Sequence, residues 1–432
     1  MSSERKVKFC TLGCKLNFSE TSTIAREFEQ GGFRRAQPGE KADICVVNTC
    51  SVTEHADKKC RNLVRRLIRE NPGALVAVTG CYAQLSSERI AAIEGVDLVI
   101  GNGDKGSVYR RVAALEGKSG AAVHACEAEE LTGFFAAFSS GDRTRSFLKV
   151  QDGCDYRCSY CTIPLARGAS RNMPIADLVA EAEAIARSGQ REIVLTGVNT
   201  GDFGRTTGES FLDLLRALDR VEGIGRYRIS SIEPNLLTDE IIAFTAASER
   251  FQPHFHIPIQ SGCDRILALM RRRYNTARFA DRIEAVRRAI PDVFFGIDVI
   301  VGFPGETEED FACTYGFLER IAPAFLHVFP YSVRPGTPAA GLPDRVSPEV
   351  AERRAFELGR LSDRLHRDFC SRYVGRTATA LWESTMRGGY MFGYTGNYIK
   401  VRAPYDRSKI NTFSRVELLG MEDDTMEAAI LG

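Results

Sequence analysis

The chain has 432 residues, a length typical of two or three domains. With 44% hydrophobic and 26% charged residues, its composition excludes a disordered chain, a collagen-like fibre and a coiled coil. Lys and Arg number 57 and Asp and Glu 56, so the net charge of +1 does not indicate a strongly basic nucleic-acid binder. We expect a cytoplasmic protein, because the sequence shows neither a long apolar run nor a signal-peptide pattern.

Residues 1–115 alternate strand and helix patterns, which predicts a doubly wound parallel sheet. The helical patterns include Glu20–Gln30 and Ala56–Glu70. The strand patterns lie at Lys6–Cys10, Asp43–Asn48, Leu75–Thr79 and Asp97–Ile100. The periodicity weakens between residues 116 and 146, where GKSG and SSGDRTRS occur, so we expect a domain boundary there.

Residues 140–370 are predicted to form a partial (βα)6 barrel. Helical patterns separate six short apolar runs: FLKVQDG, EIVLTGV, YRISSIEP, FHIPIQSG, FFGIDVIVGFPG and FLHVFPYS. In parallel barrels the chemistry gathers at the carboxyl ends of the strands, and polar residues lie at those ends here. After an Arg-rich helical stretch, residues 371–432 alternate apolar and polar residues between Gly-rich turns, which predicts a small antiparallel β-barrel. The predicted fold class is therefore α/β.

Thirteen cysteines in a long chain without secretory features indicate metal ligands or catalytic groups rather than disulfides. Cys154, Cys158 and Cys161 form a C-x3-C-x2-C motif at the end of the first barrel strand. Three neighbouring thiolates suit an iron–sulfur cluster in which one iron stays open to another molecule. A zinc site is the alternative, but structural zinc normally takes four ligands, and no fourth cysteine or histidine lies nearby in the sequence.

Cys14, Cys50 and Cys81 each follow one of the first three predicted strands. The carboxyl ends of these strands form one crevice in a doubly wound sheet, so we expect the three thiols to converge on a second cluster. Three unrelated buried cysteines are the alternative. We interpret the remaining cysteines as ordinary packing residues: Cys10, Cys45, Cys60, Cys126, Cys263, Cys313 and Cys370.

The motifs TLGCKLN, NTCSVT, TGCYAQ and QDGCDYRCSYCTIPLARG together resemble the radical S-adenosylmethionine methylthiotransferase family. The resemblance covers essentially the whole chain, and TLGCKLN and NTCSVT most resemble the branch that modifies N6-threonylcarbamoyladenosine in tRNA. It implies a methylthiotransferase domain at residues 1–130 and a radical S-adenosylmethionine domain at residues 140–370. It also implies an RNA-binding TRAM domain at residues 371–432.

The resemblance implies an enzyme that places sulfur and a methyl group on C2 of that nucleoside, next to the anticodon. It implies two molecules of S-adenosylmethionine and two [4Fe–4S] clusters. The cluster at Cys154, Cys158 and Cys161 would cleave S-adenosylmethionine to a radical, and the auxiliary cluster would supply sulfur. The expected partners are a tRNA anticodon stem-loop and an electron donor such as flavodoxin or ferredoxin. The sulfur donor is unknown, and we expect a monomer.

Contacts to S-adenosylmethionine are expected at the ends of the barrel strands. The candidates follow successive strands: Gly197 and Asn199, Ser231 and Glu233, Gln260, and Val301 and Gly302. Gly197 and Asn199 occupy the place of the family's glycine-rich segment, and Ser231 and Glu233 would meet ribose or amino groups. The other three candidates lie near the expected adenine. A turn or packing role is the alternative for each, and we expect no catalytic residue beyond the cluster ligands.

The predicted helix over Ala56–Glu70 has one basic face, formed by Lys58, Lys59, Arg61, Arg65, Arg66 and Arg69. Such a face suits RNA phosphates, and an ordinary solvated surface fits the pattern equally well. His254 and His256 are interpreted as core or hydrogen-bonding residues rather than metal ligands.

Three alternatives remain open at this point. The first is the same chemistry on isopentenyladenosine in tRNA or on an aspartate of a ribosomal protein. The second is an iron–sulfur protein that binds RNA without turnover, and the third is a zinc-binding module.

Overall fold

The computed structural model describes residues 5–115, 121–141 and 144–431. In these ranges the chain forms two parallel sheets and a small closed barrel, which confirms the predicted α/β fold class. No helix in the described ranges combines the length and the apolar character needed to cross a membrane.

The described amino-terminal residues form a six-stranded parallel sheet. Its strands are β1 (Lys6–Thr11), β2 (Arg34–Arg35), β3 (Ile44–Thr49), β4 (Leu75–Gly80), β5 (Leu98–Ile100) and β6 (Ala122–His124), in the order β2-β1-β3-β4-β5-β6. Its helices are α1 (Lys15–Gln30), α2 (Glu54–Glu70), α3 (Cys81–Leu85), α4 (Ser87–Ala91) and α5 (Val108–Ala113). The sequence pattern missed the edge strands β2 and β6, which are too short to show a periodicity.

The central part is a second parallel sheet whose described strands follow chain order and leave a partial barrel. The strands are β7 (Arg145–Lys149), β8 (Glu192–Thr196), β9 (Arg226–Ile229), β10 (Phe251–His256), β11 (Phe294–Val301) and β12 (Phe325–Pro330). The helices are α6 (Ile163–Arg167), α7 (Ile175–Arg187), α8 (Phe211–Leu218), α9 (Asp239–Ala247), α10 (Asp264–Leu269), α11 (Thr276–Ala289), α12 (Glu308–Ile321) and α13 (Pro348–Ser371). A large apolar core lies between strands and helices, so the polar strand ends are left for chemistry.

The carboxyl-terminal residues form a closed barrel of order β13-β14-β15-β17-β16. Its strands are β13 (Thr377–Arg387), β14 (Tyr390–Thr395), β15 (Lys400–Pro404), β16 (Phe413–Glu422) and β17 (Thr425–Ile430). The prediction of a purely antiparallel barrel is wrong in one respect: β15 and β17 pair in parallel, with Val401 opposite Met426. This pairing closes the barrel, because it joins the two strands that the antiparallel hairpins leave free.

A buried ionic cluster joins the amino-terminal sheet to the central barrel. The Glu20 carboxylate of α1 pairs with Lys105 Nζ at 2.6 Å, Lys149 Nζ at 2.9 Å and Arg167 Nη1 at 3.0 Å. Lys149 and Arg167 also pair with Asp152, and all of these side chains are at most 3% exposed. Burial raises the pKa of Glu20, but the three cations outweigh it and hold the pKa well below its usual range.

Arginines also anchor the other two interfaces. Arg334, after β12, donates to Ser51 Oγ at 2.7 Å and to Asp57 Oδ2 at 2.8 Å in the amino-terminal part. Arg226 and Arg228 of β9 donate to backbone carbonyl oxygens of the carboxyl-terminal barrel at 2.6 to 3.0 Å. Because these contacts are buried or partly buried and charge-assisted, they fix how the three parts meet.

We expect Glu20→Gln to destabilise the protein by about 3–5 kcal/mol, because it leaves buried cations without their shared carboxylate. Anaerobic urea unfolding would measure the change. Glu29→Gln, on the same helix, is the matched control: Glu29 pairs with Arg35 at the surface, and its loss should cost at most about 1 kcal/mol. Equal stability of the two variants would contradict a structural role for the cluster.

Candidate active site

The first cysteine triad lies at the carboxyl edge of the amino-terminal sheet. Cys50 directly follows β3, and Cys81 directly follows β4 as the first residue of α3. Cys14 follows the turn after β1 and caps the start of α1. Because β1, β3 and β4 are neighbours in one parallel sheet, the three thiols share a single crevice.

Two glycines permit this close approach. Gly13 has a φ of 102°, and a Cβ at this position would lie 2.8 Å from Cys50 Sγ. Gly80 has a φ of 101°, and a Cβ there would lie 2.3 Å from the Thr49 carbonyl oxygen. Both φ values are in the left-handed region that favours glycine, so any side chain at these positions would force the triad apart.

The surroundings of the first triad favour neutral thiols as long as no metal is bound. Burial, with a smaller contribution from Cys81, raises the pKa of Cys50 to about 12. Desolvation by the surrounding protein also raises the pKa of Cys14, although part of this residue is open to solvent. The positive charge of Arg167 opposes this rise. Only the thiolate binds metal, so metal binding at this triad would release protons.

The second triad lies in the loop between β7 and α6. The backbone N–H of Tyr156 donates to Cys154 Sγ, and that of Ile163 donates to Cys161 Sγ, each at 3.4 Å. Burial raises the pKa of Cys154 and of Cys161 to about 12. Hydrogen bonds from backbone N–H groups to sulfur stabilise the thiolate form, which is the form that ligates iron.

Arg272 connects the second triad to one of the predicted cofactor residues. Its Nη1 donates to Cys158 Sγ at 2.9 Å, while its Nη2 donates to the Glu233 carboxylate and to Tyr274 Oη at 2.8 Å. The Arg272 side chain is only 3% exposed. Burial raises the pKa of Cys158, and the Arg272 charge opposes this shift. A cation thus faces the sulfur of one proposed ligand.

The sulfur spacing distinguishes between the metal groups that sequence analysis left open. Neither triad, within the described residues, brings all three of its sulfur atoms within 4.8 Å of one another. Sulfur ligands on a single zinc ion, each at about 2.3 Å, would lie only about 3.8 Å apart. The sulfur atoms of each triad are therefore too widely spaced for one zinc ion, and an all-thiol donor set is the one that iron–sulfur clusters take.

The first four predicted cofactor residues lie together beside the second triad. Gln151 Oε1 accepts hydrogen bonds from the backbone N–H groups of Val198 and Asn199, at 2.9 Å each, and so shapes the loop that begins at Gly197. Ser231 Oγ donates to the Val198 carbonyl oxygen at 3.0 Å. Glu233 is held by Arg272, as described above. These contacts gather the ends of β8 and β9 around one space.

Asn199 provides an independent sign that this space takes a ligand. Its Nδ2 is buried and has no hydrogen-bond partner among the described residues, whereas its Oδ1 accepts from the Glu233 backbone N–H at 3.4 Å. A buried amide donor without a partner costs free energy, and polar ligand atoms would satisfy it. The amino-acid part of S-adenosylmethionine offers such atoms.

The last three predicted cofactor residues lie at the ends of β10 and β11. Gln260 has a φ of 73° and bridges to Val299 of β11. Val301 is fully buried in the apolar core, and a Cβ at Gly302 would lie 2.6 Å from the Cβ of Ala351 on α13. The Val301 side chain therefore faces the core, so only its backbone remains available to a cofactor. The contacts of all seven residues with S-adenosylmethionine remain predictions.

Helices next to the two triads meet at the interface between the two sheets. α6 begins two residues after Cys161 and contacts α3, which begins with Cys81. Asn102 donates to the Ala166 carbonyl oxygen of α6 at 2.7 Å, and its Nδ2 lies 3.8 Å from Cys81 Sγ. A single buried side chain, Asn102, thus joins Cys81 to the helix that follows Cys161.

A polar group lies on the interior of the barrel strands. His256 Nε2 and Asp298 Oδ1 are 2.7 Å apart, and His327 brings a third ligand atom within 4.8 Å of both. The position of His256 agrees with a hydrogen-bonding role, although a metal ion would also fit the three ligand atoms. Sequence analysis did not single out Asp298 or His327, because only strand pairing places them beside His256.

The basic helix has the predicted form in α2. Val64 and Leu67 are buried against the sheet, while five of the six basic residues are exposed: Lys58, Lys59, Arg65, Arg66 and Arg69. Arg61 differs from them, because it is partly buried and donates to Tyr82 Oη at 2.7 Å. RNA binding by this face remains a prediction.

Comparison with known proteins identifies the family. The Radical SAM superfamily matches residues 148–318, and Uncharacterized protein family UPF0004 matches residues 6–101. The threonylcarbamoyladenosine tRNA methylthiotransferase MtaB of Bacillus subtilis (strain 168) is 41% identical over 425 residues, covering 96% of this chain and 93% of that protein. The chain belongs to the radical S-adenosylmethionine methylthiotransferase family. Its cofactors accordingly include S-adenosylmethionine and a [4Fe–4S] cluster.

Two further comparisons concern a second tRNA-modifying enzyme and a solved structure. The tRNA-2-methylthio-N(6)-dimethylallyladenosine synthase of Thermobifida fusca (strain YX) is 37% identical over 393 residues, covering 88% of this chain and 78% of that protein. The solved structure of the radical S-adenosylmethionine methyltransferase TsrM from Kitasatospora setae has a TM-score of 0.57 at 14% identity, covering 89% and 79% of the two chains. The latter shows a common fold alone. The predicted family is confirmed.

Sequence analysis missed Arg272, because the MRRRY segment reads as a uniformly basic run. Arg271 has a φ of 57°, which turns the chain sharply after α10, so Arg272 points inward while both neighbouring arginines are exposed. Tyr274, two residues later, is buried and accepts a hydrogen bond from Arg272.

We expect Arg272→Met to lower the reduction potential of the cluster at the second triad, because the variant removes a positive charge and an N–H donor from Cys158. Redox titration followed by electron paramagnetic resonance, in a Cys50→Ala background that leaves this cluster alone, would measure the change. Arg273→Met is the control: the exposed Arg273 lies over the Tyr156 ring at 4.1 Å and donates to a backbone oxygen at 3.1 Å, but within the described residues it makes no hydrogen bond to a cysteine sulfur. An unchanged potential in Arg272→Met would rule out the predicted influence.

Proposed function

We propose that the enzyme is a tRNA methylthiotransferase that adds a methylthio group to C2 of N6-threonylcarbamoyladenosine beside the anticodon. The observation that supports this proposal is the pair of three-cysteine groups whose neighbouring helices, α3 and α6, are in contact. The relative from Bacillus subtilis, which aligns with nearly the whole chain, is named for this reaction.

We propose that Cys154, Cys158 and Cys161 hold the cluster that binds S-adenosylmethionine, and that Cys14, Cys50 and Cys81 hold an auxiliary [4Fe–4S] cluster. When bound, these groups supply radical cleavage of one S-adenosylmethionine, the transferred sulfur and, from a second S-adenosylmethionine, the methyl group. Each triad offers three thiolates and so leaves one iron open to a ligand other than protein.

The protein residues bind, orient and shield these groups. Asn199 presents a free amide donor, Glu233 a carboxylate and Arg272 a fixed cation, all at the edge of the second triad. Burial of Cys50 and Cys158 restricts water at both triads. Hydrogen bonds within the loops after β8 and β9 keep the proposed S-adenosylmethionine site in shape before the cofactor arrives.

We further propose three functional domains: residues 1–130 for the auxiliary cluster, 140–370 for radical generation and 371–432 for RNA binding. The exposed basic face of α2 begins only a few residues after Cys50, so phosphates bound there would lie near the auxiliary site.

We expect a monomer in the cytoplasm with an electron donor such as flavodoxin or ferredoxin. The resemblance of the carboxyl-terminal barrel to TRAM domains supports RNA contacts there as well.

Anaerobic assays with reconstituted enzyme would test the proposed reaction. We expect Cys154→Ala to abolish cleavage of S-adenosylmethionine, and Cys50→Ala to retain that cleavage but lose methylthiolation and about half of the iron. Cys313→Ala is the matched control, because Cys313 is exposed on α12 and belongs to neither triad. Mass spectrometry of tRNA nucleosides would report the product.

The substrate is decided in the same assay by offering tRNA with either modified adenosine. Conversion of N6-threonylcarbamoyladenosine alone supports the proposal. Conversion of isopentenyladenosine alone would keep the chemistry and overturn the proposed substrate, consistent with the relative from Thermobifida fusca. No conversion of either tRNA, with both clusters present, would contradict a tRNA methylthiotransferase.

The RNA-binding prediction for α2 is tested by salt dependence. We expect the double variant Arg65→Gln/Arg69→Gln to bind tRNA more weakly. The slope of log K against log salt should fall by about 0.9 for each phosphate that the variant no longer neutralises. Arg187→Gln on α7 is the control, because Arg187 is equally exposed and lies far along the chain from α2. Unchanged affinity and slope would mean that the basic face of α2 is an ordinary solvated surface that does not bind tRNA.

A further inference from the structure

A lysine beside the first cysteine triad lies near the polar interior of the barrel. Lys15 follows Cys14 directly and is the first residue of α1. One turn later, Phe18 contacts Phe147 of β7, with ring centroids 5.7 Å apart. Residues three apart share a helix face, so the Lys15 side chain lies on the face of α1 that is turned towards the barrel.

The electrostatic neighbours of Lys15 agree with this orientation. The charged groups that act on it belong to the barrel and to the carboxyl-terminal domain: Tyr398, Arg145, Asp298 and Arg228. Its charge also acts on His327 and on His254. Lys15 therefore lies among residues from all three parts of the chain, close to the His256–Asp298–His327 group.

Lys15 has no ionic or hydrogen-bonding partner among the described residues, and the side chain is half-buried. The other cations here are engaged. Arg145 pairs with Glu383 at 2.9 Å and donates to Tyr398 Oη at 2.9 Å, and Arg228 pairs with Glu192 at 2.8 Å. Among these three cations, Lys15 is thus the one whose hydrogen-bonding capacity is open to a ligand in this space.

The position of Lys15 is unfavourable for folding alone. The amino terminus of a helix carries partial positive charge and favours anions, so a lysine at the first helical position is disfavoured. Desolvation and two neighbouring arginines add to this cost. Such a residue is best explained by an anion that arrives with the substrate.

The proposed substrate carries an anion at the required place. In adenine, C2 and C6 both adjoin N1, so the substituent on N6 lies beside the carbon that is modified. When C2 lies at the auxiliary site, this substituent is within reach of the residue next to Cys14. The threonylcarbamoyl group ends in a carboxylate, whereas the isopentenyl group is a hydrocarbon without charge.

We propose that Lys15 binds the carboxylate of the threonylcarbamoyl group and thereby selects this nucleoside over one with an apolar N6 substituent. The inference rests on the proposed function and names the contact that sets its substrate. Lys15 acts as a specificity residue: it pairs with substrate and takes no part in bond formation.

The test compares the binding of three anticodon stem-loop RNAs to cluster-loaded enzyme by fluorescence anisotropy. They carry N6-threonylcarbamoyladenosine, its carboxylate methyl ester, or isopentenyladenosine. We expect the wild-type enzyme to bind the acid about tenfold or more tightly than the ester, the scale of one charge-assisted hydrogen bond. We expect Lys15→Gln to bind the acid and the ester equally, and Lys15→Arg to restore the preference for the acid.

Lys41→Gln is the control, because Lys41 is exposed near the opposite end of β3 from the triad and should keep the wild-type preference. Iron content and visible absorption show whether Lys15→Gln retains both clusters. A wild-type enzyme that binds acid and ester equally, or a loaded Lys15→Gln variant that still prefers the acid, would overturn the inference. Failure of the wild-type enzyme to methylthiolate the acid RNA would instead contradict the proposed function.

Discussion

The arrangement of the molecule depends on one buried carboxylate, that of Glu20. It neutralises cations from three separate segments, and two of them, Lys149 and Arg167, belong to the barrel. Glu20 is on α1, which begins beside Cys14, and Arg167 ends α6, which begins just after Cys161. A displacement of either helix would leave charges buried without partners, which costs several kcal/mol. The ionic cluster therefore sets the distance between the two cysteine sites.

The same logic explains why the interfaces between the parts of the chain are polar. A purely apolar interface tolerates sliding, whereas directional ionic contacts have one satisfied geometry. Arg334 adds a second fixed point through Ser51 and Asp57, close to Cys50. Chemistry at a metal group needs such fixed positions, because a displacement of about 1 Å strongly reduces catalysis.

How much of the structure the sequence predicts depends on how close together along the chain the interacting residues lie. The spacing of Cys154, Cys158 and Cys161 is contained in one loop, and the crevice at Cys50 follows from strand order alone. The roles of Glu20 and Arg272 were not predictable, because their partners are distant: Lys149 is 129 residues from Glu20, and Cys158 is 114 residues from Arg272. The parallel β15–β17 pair was missed for a related reason, since hairpin patterns indicate only antiparallel neighbours.

The long separation between Glu20 and its barrel partners also affects how the protein is made. At about 5–20 residues per second, translation needs on the order of ten seconds to extend the chain from Glu20 to Lys149. During that interval the amino-terminal sheet has Cys14, Cys50 and Cys81 along an edge that the barrel has not yet covered. The edge that carries these three cysteines is thus open in the nascent chain until Arg167 has been made and can pair with Glu20 of α1.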